Sequence, residues 1–232
     1  MISGYFLYSK NNSQIDQKIK IQAIKILKIL LISIAIYGVF DYLCSNLIIH
    51  KYDSTSEWIV GSAQPYFSFF VILRKIFIGT FFNNTLWYFH ALFFAYLIIG
   101  PIIKHVNVKS MIWLVGFLFV FHIVTRVYAK NMDFSWYEAN LWRSFLLTAL
   151  PWMLTGYICA FYKEYIINHI SKRILLILIA AGYLMQMVEY KLYNQSISFY
   201  FGTILYCISI FLLCIKKPEY KINNQLNFIG EK

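Results

Sequence analysis

TLWYFHALFFAYLIIGPII, residues 85–103, decides the fold. No Asp, Glu, Lys or Arg interrupts it. A helix needs roughly 20 apolar residues to cross a hydrocarbon core about 30 Å thick, and this run has that length. Five further runs of the same kind flank it, at 26–49, 110–128, 143–162, 174–193 and 197–215. A seventh, 66–82, carries Arg74 and Lys75 at its centre, each costing about 2.5–3.5 kcal/mol at mid-bilayer. The expected architecture is all-α, a polytopic transmembrane helical bundle of six spans plus one interfacial or re-entrant helix at 66–82. Nothing resembling a linker or an internal repeat divides the 232 residues, so a single membrane domain is expected.

Composition agrees with lipid as the solvent. The chain is 60% hydrophobic and 13% charged, whereas a soluble domain carries about 25% charged residues. Helices in lipid need fewer, because their outer face is as apolar as their interior. High hydrophobicity also excludes intrinsic disorder. The net charge of +11 does not point to nucleic acid, because Lys and Arg cluster in short segments beside the apolar runs, where they set topology. With a cytoplasmic N-terminus, six spans leave fourteen Lys and Arg on the inside and seven on the outside. A seventh span at 66–82 would erase that bias. Both termini are therefore expected in the cytoplasm of a multi-pass cell-membrane protein. Residues 2–7 are too short, and lack the basic flank, for a cleavable signal peptide. Cys44, Cys159, Cys207 and Cys214 show no paired metal-ligand spacing, and no metal is expected. Pro151, inside the 143–162 run, is expected to kink it.

Ionisable groups inside spans are expensive, which makes each a functional candidate. Asp41, His90, His122, Arg126, Arg143 and Glu189 are of this kind, and all fall in the outer half of the expected bundle. His122 and Arg126 lie one turn apart on one helical face. Each has a structural alternative. Arg126, Arg143 and Glu189 are near enough to helix ends to snorkel, the histidines also serve as hydrogen-bonded packing residues, and Asp41 could pair with Arg126. On the opposite side, Lys18, Lys20, Lys25 and Lys28 lead into the first span. Lys25 and Lys28 share a helical face and could grip phosphates of a cytosolic ligand, or simply attract anionic lipid. These features leave an enzyme, a transporter or flippase, and a non-catalytic membrane sensor open.

Four stretches, taken in order, resemble the acyltransferase 3 family of integral membrane enzymes. They are ISGYFL at 2–7 followed by the basic KIKIQAIKILKILL at 18–31, LWYFHALFFAYLIIGPII at 86–103, LWRSFLLTALPWMLTGY at 141–157, and LNFIGEK at 226–232. The resemblance implies transfer of an acyl group, usually acetyl from acetyl-CoA, to a hydroxyl of a glycan or other cell-envelope acceptor. It places Lys25 and Lys28 near the family's Arg-x-x-Arg motif, with charge kept and bidentate geometry lost. It suggests Arg143 for acceptor orientation or charge stabilisation, and Trp87, Tyr96 and Arg126 for contact with the acceptor. His90, His122 and Asp41 are candidates for acid–base work, although none falls on the family's catalytic-histidine position. That histidine belongs to a helix preceding the resemblance, and a final family helix would follow it. A truncated chain, inactive alone, is the expectation. Oligomeric state is not assigned.

Overall fold

The structure is a computed structural model, and it describes residues 1–9, 11–44, 86–124, 145–193 and 200–216. The eight regular elements described there are all α-helices: α1 (Ile2–Leu7), α2 (Asn12–Leu43), α3 (Trp87–His105), α4 (Val108–Ile123), α5 (Ala149–Phe161), α6 (Lys163–His169), α7 (Lys172–Tyr193) and α8 (Phe201–Ile215). Within the described residues, α2, α3, α4, α5, α7 and α8 each overlap one of the six expected runs. The 66–82 segment lies outside the described residues. Three stretches are long and apolar enough to cross a membrane, Ser13–Leu43, Trp87–His105 and Lys172–Leu192, while α4, α5 and α8 are shorter apolar helices. Two compact units divide the chain, Met1–Ile158 and Cys159–Lys232.

In the first unit, α2 starts well before the apolar run at 26. The Asn11 side chain caps it, accepting from the Ser13 amide at 3.1 Å, and the segment that follows is rich in straight-chain helix formers. Its 32 residues reach about 48 Å, more than the hydrocarbon core. The basic N-terminal part therefore has room to stand outside the lipid. Lys18 folds back from it, and its ammonium donates to the carbonyls of Phe6 at 3.3 Å and Tyr8 at 3.1 Å, satisfying the frayed end of α1.

The helix α1 meets α5 backbone to backbone. A Cβ at Gly4 would collide with the Met153 carbonyl, and one at Gly156 with the Met1 carbonyl. Small residues at such crossings let two helices approach where lipid offers no hydrophobic drive between them. Along another seam α2 packs on α3, with Lys104 and Asp16 paired at 2.7 Å. Asn107 caps α4, accepting from the Ser110 amide at 2.8 Å, and Phe119 of α4 meets the Trp152 ring edge-on at 4.9 Å.

Pro151 occupies the third position of α5, just after a turn over residues 145–148. A first-turn proline lacks an amide that would have no intrahelical partner anyway, so the expected kink has no cause. Among the described residues, the proline that sits in a helix interior is Pro101, in α3. It denies the Leu97 carbonyl its ordinary amide donor.

In the second unit, α7 and α8 pack closely at Gly182 and Gly202, where added side-chain carbons would press into the facing backbone. Glu189 closes this hairpin. Its carboxylate oxygens accept from the amides of Phe201 at 3.3 Å and Gly202 at 3.0 Å, the start of α8. A negative charge belongs at a helix N-terminus, so this side chain has a capping task beyond the snorkelling its sequence position suggests. At the other end, Lys216 donates to the carbonyls of Ile166, Ile167 and Ile170 and closes α6.

Large apolar side chains remain outside the packing. Ile32, Ile36 and Phe40 of α2, Trp113 and Phe117 of α4, and Ile177, Leu184 and Leu192 of α7 are exposed, Trp113 by 81%. Apolar surface on this scale is untenable in water and ordinary in lipid.

Candidate functional site

Between α2 and α3 lies a cavity of about 550 Å³. Asp16, Ile19, Lys20, Ala23, Ile24 and Leu27 line its α2 side, with spacings of three and four that put them on one helical face. Phe93, Leu97, Gly100 and Pro101 line the α3 side, and Lys104 and His105 follow at the helix end. The walls are thus apolar along most of the length, and one end is polar. Gly100 holds the helices close there, since a Cβ would stand 3.3 Å from Ile19 Cδ1. Lys104, paired with Asp16, keeps 40% of its side chain exposed and Asp16 51%. Such an exposed pair is weak and easily exchanged.

A second cavity, of about 260 Å³, opens at the other end of α3. Trp87 and Tyr88 of α3, Ser3 of α1, Thr148, and Trp152 and Met153 of α5 contribute to its lining. Aromatic faces beside hydroxyls suit a small ligand that is part apolar and part hydroxylated.

Trp87 lines the second cavity. Tyr96 is buried, about two and a half turns further along α3, and is hydrogen-bonded to Ser3. His90 is buried, with Nδ1 3.2 Å from the Leu86 carbonyl of its own helix. His122 is fully buried, with Nδ1 2.8 Å from the Leu147 carbonyl, and so ties α4 to the turn before α5. A carbonyl can only accept, which assigns the proton to Nδ1 in both rings and leaves the Nε2 atoms as the basic ones. Asp41 is exposed near the end of α2 and lines neither of these cavities. Arg126 and Arg143 lie outside the described residues. Lys25 and Lys28 are exposed on α2. At about 100° per residue Lys25 is half a turn from Asp16 and Lys28 a third of a turn, and neither lines the α2–α3 cavity.

Among the described residues, no group of three or more His, Cys, Asp or Glu could hold a metal ion. The acyltransferase-domain profile of the acyltransferase 3 family matches residues 1–231. This chain belongs to the acyltransferase 3 family. No curated protein and no solved structure matches it. Acyltransferase 3 membership, with its apolar helices, makes the chain a membrane acyltransferase that works in a lipid bilayer.

Sequence reading of this acyltransferase missed the polar end of the larger cavity. Lys20 stood out only as part of a basic run, and Lys104 only as a topology marker. The available signal was the Asp16, Lys20, Ala23, Leu27 face, which is charged at one end and apolar at the other. Trp152 was likewise hidden inside an apolar run.

Proposed function

We propose that this acyltransferase moves an acetyl group from acetyl-CoA to a hydroxyl of a glycan or another cell-envelope acceptor. It acts as a single multi-pass cell-membrane domain with both termini in the cytoplasm. The α2–α3 cavity carries the reading. A thioester donor of this class has a slender, weakly polar arm ending in phosphates, and the cavity offers apolar walls closed by Lys20, Lys104 and His105. Lys25 and Lys28, exposed on α2 outside the cavity lining, extend the positive field that draws the anionic donor to this end of the bundle.

The chemistry asks for a base on the acceptor side. His90 and His122 are the two on offer, each oriented by a carbonyl at Nδ1. Nε2 takes the proton of the acceptor hydroxyl, whose oxygen attacks the thioester carbonyl carbon. The carbon–sulfur bond then breaks, and CoA leaves as the thiolate. Arg143 steadies the oxyanion formed in between, Asp41 balances positive charge, and Trp87, Tyr96 and Arg126 contact the acceptor.

The test is a titration of acetyl-CoA into the chain held in lipid nanodiscs. Saturable binding, competed by CoA, is expected. A flat titration overturns the reading, and accumulation of a solute by proteoliposomes without acyl transfer would favour a transporter instead.

A further inference from the structure

The α2–α3 cavity contains one carboxylate where its proposed ligand carries phosphate. We propose that Lys20, Lys104 and His105 form the phosphate subsite for the acyl donor, and that Asp16 is its built-in competitor, holding Lys104 until a donor phosphate displaces it. This rests on the acyl-CoA reading above and deepens it.

Two lysines of the described residues are committed elsewhere. Lys18 is occupied by the Phe6 and Tyr8 carbonyls, and Lys216 by those of α6. Lys25 and Lys28 do not line the cavity. Lys20 and Lys104 are the lysines that line it, from two different helices, with His105 beside them. Asp16 is one turn before Lys20 on α2 and 2.7 Å from the Lys104 ammonium, so it lies within reach of both cations. A carboxylate there neutralises only part of the charge.

A phosphate brings more charge and more acceptor oxygens than Asp16 does, and bonds from a lysine ammonium to it are charge-assisted. The pair it must break is half exposed and therefore weak. Exchange is downhill when phosphate arrives on an arm that the apolar walls retain. Without that arm, Asp16 keeps its place, and the mouth discriminates against free anions. Anionic phospholipid offers the same headgroup chemistry. The cavity's apolar walls end at these cations, the order of features a slim arm ending in phosphates requires, and we commit to the donor.

Three variants give opposed signs. Lys104→Gln and Lys20→Gln each weaken acetyl-CoA binding by about tenfold, the loss of one charge-assisted phosphate contact. Asp16→Asn tightens it by about threefold, the release of a partly exposed ion pair. In the Lys104→Gln background most of that gain disappears, as coupled residues require. S-acetylpantetheine, which lacks the phosphates, binds all variants alike. A misfolded protein does not bind its ligand more tightly, so the gain with Asp16→Asn also guards against a folding artefact. Titrations are run in phosphatidylcholine nanodiscs and repeated with phosphatidylglycerol. Wild-type binding that none of the three variants alters overturns the subsite and leaves the donor reading standing. Absence of wild-type binding overturns both. Variant effects seen only with phosphatidylglycerol assign the cations to lipid and overturn the proposal.

Discussion

Replacing Glu189 with Ala should loosen the α7–α8 hairpin by about 3 kcal/mol. Both carboxylate oxygens accept from the first amides of α8, at 3.3 Å and 3.0 Å. A hydrogen bond to a charged group contributes about 1.5–3 kcal/mol, and the longer of these two belongs at the low end. The favourable field at a helix N-terminus adds about 0.3–1 kcal/mol. Glu189 is only half-buried, and water reaching the freed amides trims the sum. Glu189→Gln keeps an acceptor oxygen and loses the charge, so roughly half the penalty is expected. Cys207, half-buried on α8, reports the opening. With the other cysteines replaced, its modification by a bulky maleimide in mild denaturant should run about a hundredfold faster in Glu189→Ala and about tenfold faster in Glu189→Gln, since each 1.4 kcal/mol is a factor of ten. Rates within twofold of the parent in both variants would refute the capping argument.

Gly4→Ala and Gly156→Ala should each destabilise by about 1–3 kcal/mol, because the new carbon meets backbone that cannot swing aside. Gly38→Ala, with nothing within 4 Å of its added carbon, should stabilise by up to about 1 kcal/mol. Thermal midpoints in detergent separate the two classes, and equal shifts in all three would contradict the close crossing. His90→Gln and His122→Gln keep a hydrogen-bond donor, and the one that replaces the base should lower acetyl transfer by about 10²–10⁴-fold with little loss of stability. Full activity in both would remove the histidines from the chemistry. Lys25→Ala with Lys28→Ala should slow acetyl-CoA association several-fold at low salt and much less at high salt, as stopped-flow binding would show. A salt-independent loss would mean direct contact instead.

The helices were legible because lipid imposes a coarse rule: runs of about 20 apolar residues with their own hydrogen bonds. What that rule does not specify is where helices end. The start of α2 depended on Asn11 and a helix-forming basic stretch, neither of which is apolar, and Pro151 changed meaning once α5 began two residues before it. Site residues followed the same division. Lys25 and Lys28 drew notice because they are neighbours in sequence, whereas Lys20 and Lys104 meet only when α2 packs on α3. Glu189 looked like a costly charge in the bilayer until its partners, the amides at the start of α8, were in view.

Photolabelling would locate the bound donor on the helices. A diazirine-bearing acetyl-CoA analogue is bound to the chain in nanodiscs, irradiated, and the adducts are mapped by mass spectrometry. Adducts are expected on the cavity face of α2, between Asp16 and Leu27, and on α3 between Phe93 and His105, both lost on addition of excess CoA. CoA-sensitive adducts confined to other helices would contradict this placement of the donor.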